Sequence, residues 1–286
     1  MHTVKSIITL AIFSFSTAAL SVPQQESDWI TVFENDSIRL LSHDIEDASE
    51  IRANLLEAER TFTDWFVAPE KIDIFISDSQ STLGSLPELQ SSRHLALSRE
   101  TLAAKKGPDR TFAAIIAHET CHLWFIDYVT SQGIPQTSGG QIPAYGHGQI
   151  NDWLDETIAV ACEQGDVAQS RRDQDFPITP LEQYLTNKHP VYAQIEARVA
   201  AILAARQGNG SSQQTIRLTT DDNELIHFYL QSAHFGDFIF SRTTPEQRQQ
   251  LIRYAQPDSD IENLASFLEF DSIGALSEAF QRFVED

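Results

Sequence analysis

Arg110-Thr-Phe-Ala-Ala-Ile-Ile-Ala-His118-Glu119-Thr120-Cys121-His122-Leu-Trp-Phe-Ile126 is an apolar, helix-compatible run interrupted by two histidines and a glutamate. On a helix, positions i and i+4 share one face, so the imidazoles of His118 and His122 both reach one point in space. Glu119 lies about 100° round the same helix, close enough to take a proton from a water held at that point. Ionisable groups are costly to bury unless they are paired or bind metal, and three within five residues of an otherwise buried segment are hard to explain as packing. The pattern His-Glu-x-x-His therefore points to a zinc-dependent hydrolase.

A catalytic zinc takes three protein ligands and keeps a fourth position for water. A third histidine six residues after His122 would complete the metzincin arrangement, but Tyr128 stands there. Downstream, Asn151-Asp152-Trp153-Leu154-Asp155-Glu156-Thr157-Ile158-Ala159 offers a capped helix start, with Asn151 or Asp152 as the cap and a carboxylate one turn in. Glu156 is the expected third ligand. His147, in the Gly- and Pro-rich stretch 133–148, competes with it. A glutamate carried on a helix is the better placed of the two, and His147 and Tyr145 suit the rim or lid of a site, or a solvated loop.

His-Glu-x-x-His followed by a helix reading Trp-Leu-(Asp/Asn/Ser)-Glu-x-x-Ala resembles the gluzincin metallopeptidases, and most nearly their small peptidase MA-like branch. Here the pattern falls on His118, Glu119, His122, Trp153, Leu154, Glu156 and Ala159. The resemblance implies that Glu156 completes the metal site. Three features depart from it. Thr157 stands where glycine is usual, Val160 stands where the thermolysin type carries an aspartate behind the metal ligands, and the separation of Glu156 from His122 is long. Asp155 and Asp127 are left to orient the histidines. Further on, Phe228-Tyr229-Leu230-Gln231-Ser232-Ala233-His234-Phe235-Gly236-Asp237-Phe238 resembles a late helix of the same family, and the likeness covers roughly residues 50–285. It also implies that a sheet edge beside the metal helix pairs with the substrate backbone, which would lay an extended peptide along His94 to Ser98. An internal structural strand is the plain alternative there.

Peptide hydrolysis puts negative charge on the carbonyl oxygen, and a second donor beside the metal stabilises it. Tyr229, His227 and His234 are the candidates. A tyrosine well downstream of the glutamate ligand plays this part in a related family, which puts Tyr229 first and His234 next; a core tyrosine on an amphipathic helix is the competing reading. The expected roles follow. His118, His122 and Glu156 bind one zinc, Glu119 is the general base, and Tyr229 or His234 assists. Two other classes fit the same residues: a secreted binding protein with a purely structural zinc, and a zinc amidase acting on a cell-wall component. The sole methionine is Met1, so no Gly-Met-Glu-Asn motif for gripping a free amino terminus exists, and endopeptidase action is favoured over aminopeptidase action.

The chain has 286 residues, of which 41% are hydrophobic, which supports one or two domains with an ordinary core. Residues 1–21 read as a signal peptide: Lys5 gives a basic start, an apolar stretch follows, and Ala19 or Ser21 marks the cleavage region. A retained N-terminal anchor is the alternative, although the apolar stretch is short for a bilayer. No cysteine follows the cleavage region to carry a lipid. The expected location is therefore the periplasm or the exterior, where the two cysteines, Cys121 and Cys162, stand open between a disulfide and a pair of buried thiols. The formal charge of -21 becomes -22 without the signal, which removes Lys5 and no acid. Such acidity repels nucleic acid and anionic membranes and says nothing about the reaction; the peptide or protein substrate is what the resemblance to the gluzincins implies.

Apolar segments at Trp29–Phe33 and Ile38–Leu41 read as strands, as do Lys71–Ser77 and His94–Ser98. Asp47–Phe66 has helical spacing, with Ile51, Leu55, Ala58 and Phe62 on one face. After Asp152 the pattern is helical, over Asn151–Ala168, Leu181–Asn187, Val191–Arg206, Asn223–Phe240, Pro245–Tyr254 and two closing helices, with 207–215 as a loop. The expected class is α+β: a mixed lobe over 22–108 with a small sheet, a helical lobe over 109–286, and the zinc in the cleft between them.

Overall fold

Ile72-Asp-Ile-Phe-Ile-Ser77 is buried at every position, as a strand covered on both faces must be. The computed structural model describes residues 29–43, 48–103, 111–134, 149–191, 193 and 222–285, and shows an α+β protein. Its four strands are β1 (Ile30–Glu34), β2 (Ile38–His43), β3 (Ile72–Ser77) and β4 (His94–Ser98). They lie side by side in chain order, β1 antiparallel to β2 and the other neighbours parallel. The one charge buried in β3, Asp73, sits opposite Arg39 of β2 and accepts from its Nε at 2.9 Å and its Nη2 at 3.1 Å. That pairing lets a carboxylate occupy the middle of the sheet.

A parallel step from β2 to β3 needs a crossover, and α1 (Ser49–Trp65) supplies it. Its Ile51, Leu55, Ala58, Phe62 and Trp65 are buried, the stripe read from the helical spacing. The stripe packs on α3 (Phe112–Ser131), where Phe62 meets Trp124 and Phe66 meets Phe125 and Tyr128. Between them in sequence, α2 (Arg99–Ala103) follows directly on β4. Thr111 caps α3, its side chain accepting from the Ala114 N–H at 3.1 Å. With buried residues on every side, α3 is the central helix of the molecule.

Seven further helices follow among the described residues: α4 (Asp152–Ala161), α5 (Asp166–Asp173), α6 (Leu181–Thr186), α7 (Asp222–Phe240), α8 (Pro245–Gln250), α9 (Ile261–Phe267) and α10 (Ile273–Glu285). The helix expected over Asn151–Ala168 is thus two. Gly165, at φ +66°, turns the chain between α4 and α5 in a conformation that residues with a Cβ rarely adopt. A Cβ on Gly236 of α7 would lie 3.1 Å from Thr157 Cγ2, so the absence of a side chain there lets α7 approach α4 closely.

Cys121 of α3 and Cys162 at the end of α4 form a disulfide, which settles the alternative left open by their spacing. One continuous cluster of buried apolar residues runs from Ile38 to Phe280. Among the described residues no helix is long and apolar enough to cross a membrane. The segment 1–21 read as a signal peptide, Tyr145, His147, the loop expected over 207–215 and most of the helix expected over 191–206 lie outside the described residues.

Candidate metal centre

His118 and His122 lie on the side of α3 that meets α4, and their Nε2 atoms are 3.1 Å apart. Glu156, one turn into α4, brings Oε1 to 3.4 Å from His118 Nε2 and Oε2 to 3.7 Å from His122 Nε2. One ligand atom from each lies within 4.8 Å of the others, a set that a single metal ion can bridge. All three are buried, Glu156 with no exposed surface. Glu119, the next residue after His118, is only half-buried and stands outside this set.

The outward faces of the ligands decide which atoms they present. His122 Nδ1 donates to Asp155 Oδ1 at 2.7 Å, and His118 Nδ1 lies 3.1 Å from Glu163 Oε1. A carboxylate only accepts, so Asp155 keeps the His122 proton on Nδ1 and turns the lone pair of its Nε2 inward, while His118 meets Glu163 through an ion-pair contact. The two Nε2 atoms, 3.1 Å apart, come together with a proton or a cation between them. The surrounding charge says the same. Asp155, Glu156 and Glu163 are buried beside one buried cation, Arg171, a surplus of two negative charges that one divalent ion would balance.

Without a metal, a proton takes over part of that balance. Burial opposes charging His122, but Asp155, Glu156 and Glu119 together outweigh it and lift its pKa to about 10. Metal binding requires the neutral ring and so expels this proton. The sign is fixed: affinity rises with pH up to about 10 and flattens above it. We expect about tenfold tighter metal binding per pH unit between pH 6 and 8, measured by competition with a chelator whose own protonation is known. A flat profile would show that His122 carries no such proton.

His189, for which the sequence offers no local signal, completes the surroundings. It is fully buried, its Nε2 3.6 Å from Glu156 Oε2 and its ring against Phe228 and Tyr229 of α7. Burial, reinforced by His122 and His118, pushes its pKa well below the usual histidine value, so it is neutral beside the carboxylate. Its backbone N–H donates to Asp152 Oδ2 at 2.6 Å, and burial raises that carboxyl to about 6. Each of the three inner residues thus has its own buried neighbour: Asp155 for His122, Glu163 for His118 and His189 for Glu156.

Of the two residues expected to orient the histidines, Asp155 does so and Asp127 does not. Asp127 lies five positions after His122, roughly 140° round the helix, and takes the Arg93 guanidinium at 2.7 Å instead. The structure sets Tyr229 edge-on to His118, with ring centroids 6.0 Å apart. His234, also on α7, rests on Phe176 and lines a surface cavity with Arg172, Gln174 and Gln281, a different group of residues from the histidine cluster. His227 is half-buried on the same helix.

Glu163 does carry a signal in the sequence. On the single helix expected over Asn151–Ala168 it would fall two turns after Glu156 on the same face, although in the structure α4 ends at Ala161 and Glu163 follows its C-cap. Compared with family models, curated proteins and solved structures, the chain matches none. Its function is therefore to be read from the geometry of these residues.

Proposed function

We propose that this chain is an exported zinc metallopeptidase of gluzincin type. His118, His122 and Glu156 hold one zinc, Glu119 is the general base, and Tyr229 supports the developing oxyanion. The observation that carries this reading is that one ligand atom from each of the three residues lies within 4.8 Å of the others, the two Nε2 atoms being 3.1 Å apart and one Glu156 oxygen facing each of them, Oε1 at 3.4 Å from His118 and Oε2 at 3.7 Å from His122. Ligands around a tetrahedral zinc, with bonds of about 2.0–2.1 Å, stand roughly 3.3 Å from one another. The donor set of two imidazoles and one carboxylate is the one catalytic zinc accepts while keeping a position for water.

Zinc, when bound, supplies a Lewis acid that polarises the scissile carbonyl and acidifies water. The chain's own groups do the rest. Glu119 accepts the proton of the attacking water and delivers it to the leaving nitrogen. Asp155 holds the His122 imidazole in the tautomer that turns Nε2 inward, and Glu163 sets its charge beside His118 Nδ1. The Tyr229 ring stands beside His118, where its hydroxyl serves as a second donor to the oxyanion. β4 is the last strand of the described sheet and lies close to α3, so its outer edge suits main-chain pairing with an extended peptide.

A second reading, a binding protein with a structural zinc, is favoured by the depth of the three residues and by His189 at their side. One experiment separates the two. The purified protein is assayed for zinc and incubated with a diverse peptide mixture, before and after treatment with a chelator and re-addition of zinc. The proposal expects one equivalent of zinc and cleavage that the chelator stops and zinc restores. Zinc at one equivalent without cleavage would establish the second reading, and absence of zinc binding would overturn both.

A further inference from the structure

We infer that Arg171 is the positioning residue of this site, tying the carboxylate behind His118 to the tyrosine beside it. The inference rests on the zinc reading above and adds a residue outside the ligand set. Arg171 is a buried cation on α5, the helix that follows the turn at Gly165 and packs against α7. Its guanidinium forks onto Glu163, Nη2 to Oε1 at 2.9 Å and Nε to Oε2. Glu163 Oε1 is the same oxygen that lies 3.1 Å from His118 Nδ1. The other surface of the guanidinium covers the ring of Tyr229, its Cζ 4.8 Å from the centroid. Tyr229 in turn meets His118 edge-on.

Four side chains thus close a circuit, and Arg171 is the member that touches two of the others through different chemistry. The fork fixes the plane of the Glu163 carboxylate, and so the direction in which Oε1 faces His118. The flat guanidinium fixes the tilt of the Tyr229 ring by stacking. A lysine would keep the charge and lose both constraints, because an ammonium has neither the fork nor the plane. An ion pair that merely fastens α5 to the end of α4 would be indifferent to that difference, provided the charge stayed.

The test uses the full mature chain with Arg171→Lys and Glu163→Gln, alone and as the pair. Zinc dissociation constants come from chelator competition and kcat and KM from peptide cleavage, with thermal unfolding to confirm folding. Outer partners of metal-ligating histidines are typically worth about 10- to 100-fold in affinity. Arg171→Lys should weaken zinc about tenfold and lower kcat with little change in KM. Its effect on zinc affinity should largely vanish in the Glu163→Gln background, since that effect acts through the one carboxylate, while the loss of kcat that runs through Tyr229 persists. Wild-type zinc affinity and kcat in folded Arg171→Lys, or full additivity with Glu163→Gln in zinc affinity, would overturn the inference while leaving the zinc reading intact. If Arg171→Lys fails to fold, Tyr229→Leu and Glu163→Gln decide instead: each removes one contact of the guanidinium, and zinc affinity unchanged in both would equally overturn it. Absence of zinc from the wild type would remove the reading and the inference together.

Discussion

Glu119→Gln is expected to leave one equivalent of zinc bound and to lower kcat/KM by about 10³-fold, the middle of the range for loss of a general base. The substitution keeps the shape of the side chain and removes its ability to accept a proton at neutral pH. Retention of zinc follows from the structure, because the ligand atoms are those of His118, His122 and Glu156, and Glu119 is not among them. Glu119 also differs from those three in exposure. They are buried against α4, whereas Glu119 is half-buried, as a group that must meet water and substrate has to be. Its negative charge does help hold the proton on metal-free His122, so a modest change in zinc affinity is compatible with the proposal. Zinc content by metal analysis and single-turnover peptide cleavage provide the check. Loss of zinc from the variant would make Glu119 a ligand, and activity within about tenfold of wild type would remove it as the base.

The parts of this site that are legible in the sequence are those set within one helix or by a helix start. His118 and His122 are four residues apart, and helical geometry alone brings their Nε2 atoms together. Glu156 is legible because Trp153 and Leu154 bury the helix that carries it, which leaves a buried carboxylate one turn in that calls for a cation. The choice between Asp155 and Asp127 is not decided by spacing from the histidines along the chain. Asp155 comes from α4, 33 residues away, while Asp127 is drawn to Arg93 just before β4. Arg171 and His189 are invisible for a related reason. Arg171 reaches Glu163 only because Gly165 turns the chain, and His189 reaches Glu156 from the segment after α6. The same division holds for the fold. Ile72–Ser77 and the stripe Ile51, Leu55, Ala58, Phe62 announce a buried strand and its crossover helix through local periodicity. The break at Gly165 is hidden because the residues on either side of it favour helix equally.

Removing the disulfide with Cys121→Ala and Cys162→Ala together should cost the metal-free protein about 4 kcal/mol, the loop-closure entropy of a cross-link spanning 41 residues. For a chain of this size, that corresponds to a fall in Tm of about 7 °C. The zinc-loaded protein should lose more. Cys121 immediately precedes His122, a proposed ligand, and Cys162 immediately precedes Glu163, the carboxylate beside His118. The bridge therefore joins α3 to the end of α4 one residue from a proposed ligand on one side and from the carboxylate beside another on the other. If it only fastened the fold, zinc would bind the folded variant as tightly as the wild type, and the Tm deficit would be the same with and without metal. Because it also holds Glu156 and Glu163 against the two imidazoles, its loss leaves zinc to order that contact itself. The weakened affinity then adds to the deficit through linkage. Calorimetry of both proteins, chelated and at matched zinc concentration, reads the two contributions separately. A metal-free deficit of only a few degrees would refute the stabilising role of the bridge. Equal deficits in the two states would restrict it to the fold and leave the alignment of α4 on α3 to packing around Trp153 and Leu154 alone.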